Sequence, residues 1–595
     1  MMFDRTINSC HQDRTTYPCR IRTSLARFVV ALFAFVVALI SQSTNASEGA
    51  QVIKAVDFGV KADGVTDDGA AIDRMLQAAA DIDSAVTFLF PENRTIRVTN
   101  APDRYVLRFH RSKNRTVNGR GCTFMLGPDV RFLRLTESTN FALRNLNVDF
   151  QPLPFVDGTI VAVEPANRSI DVRISTADHP TNWEMLPLGR ATREDGEQAF
   201  FGMHWRAGPY GTVSDHYYID RMEPLTGFAE ADENSERIVR VFESEQRFHF
   251  DRVEPGRSQI SLPVPGIAHR FGPGACFEIW DCDTVQLENV ELWSAPWFGF
   301  RVFRNRGEVT FRKVCIRPKP NSGQLSSTWR DGFHVKGNSA SLLWEDCILS
   351  GMNDDAFNIS NHCSLVREIE SPTSIIVQQW FPLSLMPWRV GETIAAADFE
   401  SRTMLGRATV TKVTPLGQRV RSDGRPFASP VRLELDRPIE GLARRSLVWH
   451  PAWANPKTVL RRCTIEKSCR LQTPITIDDC HVTAFLWFYC EDVEGPFPAD
   501  VTIRDSTIRR GRGNSNLVMS FKGRITGAPG PSSIENVLLQ NNRIYGGVIF
   551  QGVDNLRLEN NTFAERGALL RLKDNRSVIS EGNRDSDGEP IELKN

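Results

Sequence analysis

The feature that most restricts the fold is an eight-residue pattern, apolar-x-apolar-x-x-small/apolar-x-apolar, that recurs along the chain. Alternating apolar residues indicate a strand with one buried face, and the polar pair in the middle indicates a tight corner after which the strand resumes. The copies lie at 141–148, 285–292, 309–316, 342–349, 458–465, 475–482, 501–508, 537–544 and 556–563. Recurrence at a spacing of roughly 20–35 residues is typical of stacked rungs. The pattern therefore predicts an all-β fold, a right-handed parallel β-helix.

Two long stretches interrupt the pattern. Residues 150–268 and 362–455 contain strand-like pieces but no rung pattern, and both are too long for structureless loops in a compact domain. We expect each to form a small β-barrel inserted between rungs. The predicted organisation is a signal peptide (1–46), an N-terminal cap with the first rungs (47–149), the first barrel (150–268), central rungs (269–361), the second barrel (362–455) and C-terminal rungs (456–595).

The N-terminal segment has the pattern of an export signal. Arg20, Arg22 and Arg27 precede an apolar run at 28–40, and polar residues and the small Ala46 follow it. This predicts a signal peptide and a secreted or periplasmic protein. The run is short for a membrane span, although an uncleaved anchor is the alternative. With Lys+Arg 71 against Asp+Glu 72, the net charge of -1 gives no reason to expect a nucleic-acid partner.

The candidate site comes from aligning three consecutive rungs, 297–302, 330–335 and 354–359, on their inward aromatic residues. In this register Phe300, Phe333 and Phe357 stack inside the helix. Asp331 and Asp355 then share an outer column, with Asp354 beside them. Neighbouring rungs lie about 4.8 Å apart, so the three carboxylates should meet. Because like charges repel, at least one pKa should rise and the group should titrate as a coupled set.

Such a cluster suits the cleavage of glycosidic bonds. That reaction needs one protonated carboxyl to release the leaving oxygen and one ionised carboxylate to activate water. We therefore predict a carbohydrate-cleaving enzyme that needs no cofactor and no metal, although a cation site or a solvated acidic surface would use the same residues. The predicted substrate-binding residues are Trp297, Arg301, Arg330, His334, Asn358 and, in a later rung, Glu494.

The runs RDGFHVKG at 330–337 and GMNDDAFNIS at 351–360 resemble glycoside hydrolase family 110. Its members are exo-acting α-galactosidases that cleave α-1,3-linked galactose, and they combine a parallel β-helix with β-barrel insertions. The resemblance implies that Asp331, Asp354 and Asp355 are the essential acids. It also implies a single-step inverting reaction, with Asp354 as general acid and Asp331 with Asp355 activating water. The expected partner is an oligo- or polysaccharide with terminal galactose.

Two other classes of protein fit the same sequence. A β-helix polysaccharide lyase would act on uronate-containing glycan, commonly with calcium held by acidic residues, and would use Arg330 or Lys336 as its base. A non-catalytic carbohydrate-binding β-helix would carry an inert groove, because a fold does not by itself fix a function.

Overall fold

The computed structural model describes residues 50–175, 189–190, 201–208, 211–225, 236–244, 248–264, 274–361, 363–379, 388–417, 419–420, 426–489, 495, 498–511, 516–525, 527–567 and 569–591. The chain divides into two units, and the larger one is Val52–Asn595. The predicted signal peptide and Glu494 lie outside the described residues. Within the described residues, no helix is both long and apolar enough to cross a membrane.

The larger unit is a parallel β-helix, as the repeat predicts. One of its faces is an eleven-stranded parallel sheet, the site sheet, which contains the three rungs aligned from the sequence. The strands of the site sheet are Tyr105–His110, Arg131–Thr136, Ala275–Trp280, Phe298–Phe303, Phe333–Lys336, Phe357–Ser360, Cys469–Leu471, Leu486–Tyr489, Leu517–Lys522, Gly547–Gln551 and Leu570–Lys573.

The rest of the β-helix wall is a 21-stranded sheet, the corner sheet, which contains the recurring eight-residue pattern. In several rungs the polar pair splits the strand in two, as Glu345 and Asp346 do between Ser341–Glu345 and Ile348–Leu349. Its strands are Gln51–Lys54, Asp63–Asp67, Val86–Leu89, Thr95–Val98, Lys113–Leu126, Thr139–Phe150, Asp283–Leu292, Arg306–Ile316, Ser341–Glu345, Ile348–Leu349, Lys457–Arg461, Thr464–Ile465, Ile475–Asp478, His481–Thr483, Ala499–Arg504, Thr507–Arg509, Ile534–Gln540, Arg543–Tyr545, Val553–Glu559, Thr562–Phe563 and Arg576–Glu581.

Two antiparallel barrels stand between rungs, so the predicted fold class is confirmed. In each barrel six strands close into a ring and a two-residue strand pairs with one of them. The first barrel contains Phe155–Glu164, Ser169–Ser175, Gly189–Arg190, Phe201–Gly208, Gly211–Pro224, Glu236–Glu243 and Gln259–Pro263. The second contains Ser364–Ser371, Ser374–Gln379, Thr393–Ala397, Met404–Pro415, Arg419–Val420, Pro426–Leu435 and Leu447–Trp449.

The chain enters and leaves each barrel at neighbouring positions. In the first barrel Phe155 lies opposite Pro263, and in the second Ser364 lies opposite Val448. The rungs on either side of the second barrel therefore stack directly, with Leu342 beside Thr458.

Helices are few in the described part of the chain. An α-helix at Gly69–Ala78 places Ile72 and Met75 in the core of the β-helix. The short 3-10 turns are Ala55–Phe58, Pro102–Arg104, Pro165–Asn167, Phe250–Arg252 and Pro451–Trp453.

Buried asparagines join successive rungs at a corner. The backbone N–H of Asn305 donates to Asn338 Oδ1 at 2.9 Å, and the N–H of Asn338 donates to Asn455 Oδ1 at 3.1 Å. Asn455 Nδ2 in turn donates to the carbonyl of Ser360 at 2.9 Å. Buried backbone groups that have left the strand ladder thus find partners. This ladder holds the register across the second barrel, from Asn338 to Asn455.

Candidate active site

Three adjacent strands of the site sheet carry the site. Phe300 pairs with Phe333 and Phe333 with Phe357, and these rings stack with centroid separations of 4.6 and 5.4 Å. This is the register predicted from the sequence. It brings the residues just before each strand side by side on the outer wall, and the N–H of Gly332 donates to the carbonyl of Asp355 at 2.9 Å.

The three carboxylates meet at the heads of these strands. Asp331, Asp354 and Asp355 each offer an oxygen within 4.8 Å of the others. Asp331 is 4% exposed, whereas the side chains of Asp354 and Asp355 are 26% and 13% exposed. The cluster therefore has a buried member and two members that solvent reaches.

Gly332 permits this close approach. A Cβ atom at Gly332 would lie 2.9 Å from the carbonyl oxygen of Ala356 in the next rung, a distance that real Cβ atoms essentially never show. A residue with a side chain would push the rung of Asp331 away from the rung of Asp355.

Each carboxylate has a different partner. Arg330 Nη1 lies 3.0 Å from Asp354 Oδ2, and Arg470 Nε lies 3.6 Å from Asp355 Oδ2. Asp331 Oδ2 instead lies 2.6 Å from His334 Nδ1. Two members of the cluster thus face a guanidinium, and the buried member faces an imidazole.

Burial raises the pKa of Asp331 well above its ordinary value. The charges of Asp354 and Asp355 raise this pKa further, while Arg330 and Lys336 act in the opposite direction. The predicted rise within the cluster is therefore found, and it falls on Asp331. The resemblance assigns the acid role to Asp354, so the carboxyl whose pKa is raised is a different member of the cluster.

The predicted binding residues have unequal surroundings. His334 lies between aromatic rings, with centroid separations of 4.8 Å to Phe298 and 5.8 Å to Phe303. Trp297 is half-buried, and the guanidinium of Arg330 lies over its ring at 5.6 Å. His334 and Arg330 thus contact carboxylates directly, whereas Trp297 contacts Arg330.

Arg301 shares the predicted column with His334 but turns to another group. Its Nη1 lies 3.4 Å from Glu278 Oε1, and its guanidinium lies over Trp280 at 5.0 Å and over Phe303 at 4.8 Å. Burial lowers the pKa of Arg301. The guanidinium of Arg301 therefore packs against the strand Ala275–Trp280, which lies on the N-terminal side of the three strands that carry the site.

A buried lysine supports the floor of the site. Lys336 is 3% exposed, and its Nζ donates to Asn358 Oδ1 at 2.6 Å and to the hydroxyl of Ser360. These bonds fix the amide of Asn358 and use two of the three protons of the ammonium group.

Arg470 is a site residue that the sequence reasoning missed. It follows the second barrel in the chain, yet its strand, Cys469–Leu471, pairs directly with Phe357–Ser360, so that Arg470 lies beside Asn358. Extending the rung alignment past 362–455 would have found it.

The first barrel holds the loops that carry the site. His216 Nε2 donates to the carbonyl of Asn353, next to Asp354, at 2.7 Å. Trp329, next to Arg330, packs in the core of that barrel. Lys467 Nζ, three residues before Arg470, donates to Ser214 Oγ at 2.7 Å. The insertion thus positions the chain segments from which the carboxylates and guanidiniums project.

The three carboxylates also have the spacing of a cation site. A bound cation would compete with Arg330 and Arg470 for the same oxygens, and these guanidiniums already offset the negative charge. The arrangement favours proton chemistry over the hard-cation site that carboxylates form with calcium.

No protein-family profile matches the chain. It is 22% identical over 449 residues to alpha-1,3-galactosidase B of Bacteroides thetaiotaomicron, covering 72% of this chain and 68% of that relative. It is 22% identical over 298 residues to alpha-1,3-galactosidase A of Akkermansia muciniphila, covering 46% of this chain and 49% of that relative. It is 21% identical over 342 residues to alpha-1,3-galactosidase A of Bacteroides fragilis, covering 56% of this chain and 52% of that relative. The chain thus spans about half the length of the last two relatives. The predicted resemblance to family 110 is confirmed.

Two solved structures are similar to this chain, both with low TM-scores. The mannuronan C-5 epimerase AlgE4 A-module of Azotobacter vinelandii matches with a TM-score of 0.34 and 10% identity, over 88% of this chain and 99% of that one. The endo-xylogalacturonan hydrolase of Aspergillus tubingensis matches with a TM-score of 0.33 and 9% identity, over 90% and 94%. Likeness at this level carries no inference about function.

Proposed function

We propose that this chain is an exported, exo-acting glycoside hydrolase that releases terminal α-1,3-linked galactose from an oligo- or polysaccharide. The observation that carries the proposal is the cluster of Asp331, Asp354 and Asp355, whose oxygens lie within 4.8 Å of one another and of which one is buried with a raised pKa. The relatives named alpha-1,3-galactosidase supply the sugar and the linkage.

In this proposal Asp354 donates the proton to the leaving oxygen, because its side chain is the most exposed of the three. Asp331 and Asp355 orient the water and accept its proton. The raised pKa of Asp331 favours its protonated form over that of an ordinary carboxyl, and in this proposal a proton shared within the cluster passes to Asp354 before it reaches the leaving oxygen. Arg330, His334 and Asn358 bind sugar hydroxyls around it.

The inverting course rests on the family resemblance. Inverting enzymes commonly hold their two carboxyls about 6.5–9.5 Å apart, with the water between them. The oxygens of this cluster lie within 4.8 Å of one another, so their separation does not place the water, and the proposal assigns the water to Asp331 and Asp355 on the side of the sugar opposite the leaving oxygen. Proton NMR of the first product tests this directly. We expect β-galactose to appear before mutarotation, and initial α-galactose would refute inversion.

The acid assignment is tested by varying the leaving group. A dinitrophenyl α-galactoside needs little protonation, whereas an α-1,3-galactosyl disaccharide needs a general acid. We expect Asp354→Asn to lower kcat/KM on the disaccharide by about 10²–10⁴-fold and on the dinitrophenyl substrate by far less. Asp331→Asn and Asp355→Asn should lower both rates alike.

The control for this test is Asp479→Asn, which changes an exposed carboxyl at a corner of the scaffold. It should leave both rates near those of the wild type. Near-native cleavage of the disaccharide by Asp354→Asn would refute the acid assignment. A wild-type protein that cleaves no α-galactoside would refute the proposed function.

Export is part of the proposal and rests on the charged flank and apolar run at 28–40. Expression with the native N-terminus, followed by N-terminal sequencing of the protein recovered outside the cytoplasm, should find a mature end near Ala46. A full-length N-terminus on that protein would indicate the uncleaved anchor.

A further inference from the structure

Three aromatic side chains lie on the outer face of the site sheet, in a rung C-terminal to the carboxylates. Phe485, Trp487 and Tyr489 alternate with Leu486 and Phe488, which are fully buried in the β-helix core. Because side chains alternate along a strand, the three aromatics project from the outer wall, where each is half-buried. We call these three residues the aromatic strip.

The strip is ordered by ring contacts. Trp487 and Tyr489 stack with centroids 5.3 Å apart at an angle of 22°, and Phe485 meets Trp487 edge to face at 5.3 Å. Lys522 in the following rung holds its ammonium over the ring of Tyr489 at 5.6 Å. The strip is thus a firm apolar platform with a cation at its edge.

Arg470 connects the strip to the carboxylate cluster. Its Nε lies 3.6 Å from Asp355 Oδ2, and its guanidinium lies over the ring of Trp487 at 5.7 Å. In register, Asn358 lies beside Arg470 and Arg470 beside Trp487. Because neighbouring rungs lie about 4.8 Å apart and Trp487 lies two rungs from Asn358, these two residues are about 10 Å apart.

The next two rungs do not share this aromatic character. The equivalent outward positions in the next two rungs hold Ser520 and Lys522, then Ile549 and Gln551. Scaffold stability gives no reason for three aromatics on the outside of one rung, because the neighbouring rungs stack without them. Aromatic rings at the surface of a cleft, combined with polar donors, are typical of ligand sites.

We propose that the aromatic strip is a second sugar-binding subsite, which holds a pyranose ring of the leaving group beyond the bond that is cleaved. The apolar C–H face of the ring packs on Trp487 and Tyr489. Arg470 and Lys522 donate hydrogen bonds to its hydroxyls or to an anionic substituent. The identity of the ring as the leaving-group sugar rests on the proposed function, whereas the binding of a pyranose to the strip does not.

The test compares two substrates of different length in Trp487→Ala. One is an α-galactosyl oligosaccharide with several sugars beyond the bond, and the other is nitrophenyl α-galactoside, which has none. We expect kcat/KM for the oligosaccharide to fall at least about tenfold more than kcat/KM for the nitrophenyl substrate. The matched control is Tyr545→Ala. It removes a half-buried aromatic of the corner sheet that also packs against an arginine, at 4.7 Å from Arg509, and it should not change the ratio.

Direct binding separates this inference from the proposed function. Calorimetry with the oligosaccharide that lacks the terminal galactose should show binding to the wild type that weakens about tenfold in Trp487→Ala. If the wild type cleaves no galactoside but this binding is found, the function fails and the subsite stands. If cleavage is found but Trp487→Ala affects both substrates equally and leaves binding unchanged, the subsite is refuted. Should Trp487→Ala not fold, Lys522→Ala, an exposed change, should lower the same preference about threefold.

Discussion

Replacing Gly332 by alanine isolates the effect of rung spacing on the site. The new Cβ atom would lie 2.9 Å from the carbonyl oxygen of Ala356, and ordinary contact begins at 3.4 Å, so the two rungs must separate by about 0.5 Å. This moves Asp331 relative to Asp355 without changing a single charge. Because a misplacement of about 1 Å can lower a rate about a hundredfold, we expect kcat/KM to fall between about ten- and a hundredfold.

The control for this variant is Gly547→Ala. Its Cβ would also lie 2.9 Å from a carbonyl oxygen, that of Leu569, in the C-terminal rungs. Both variants should lose about 1–3 kcal/mol of stability through overpacking, seen as similar falls in Tm. Only Gly332→Ala should lose activity on an α-galactosyl disaccharide. Equal activity losses in the two variants, or near-native activity in Gly332→Ala, would refute the argument that rung spacing sets the carboxylate geometry.

Three further outcomes are expected. The raised pKa of Asp331 means that the folded protein disfavours the ionised form of this carboxyl. The stability that the carboxyl contributes is therefore complete below its pKa in the unfolded chain, and it is lost as pH rises through its pKa in the folded protein. The Tm of Asp331→Asn minus that of the wild type should therefore increase from pH 4 to pH 8, and parallel Tm curves would contradict this. Asn338→Ala leaves buried groups of Asn305 unpaired and should cost about 1–3 kcal/mol in denaturant unfolding, whereas no measurable cost would show that the ladder is redundant. Arg470→Met removes the cation beside Asp355 and should lower kcat at least about tenfold, with an unchanged kcat counting against a role in the site.

The sequence predicted the scaffold and the carboxylate cluster because both depend on register. Inward Phe300, Phe333 and Phe357 fix which residues face outward, and a strand allows only two faces, so the columns containing Asp331 and Asp355 follow. The two barrels were predicted from what their segments lack, namely the rung pattern.

What the sequence could not give depends on three-dimensional neighbours. Arg470 lies beyond an insertion in the chain, so its contact with Asp355 has no local signal. Arg301 lies in the predicted column, but Glu278 and Trp280 of the preceding rung determine the direction of its guanidinium. The rise in pKa falls on Asp331 mainly because of burial, which sequence spacing does not encode.

The pairing of Ser364 with Val448 at the base of the second barrel bears on how such a chain can fold and diversify. Once the barrel has formed, its two ends are already side by side, and the Asn338–Asn455 bond can close as though the intervening residues were a short turn. Even before the barrel forms, the entropy of closing a loop grows slowly, by about 0.6 kcal/mol per doubling of length. A corner of this solenoid can therefore accept, exchange or lose an insertion while the rungs on both sides keep their alignment.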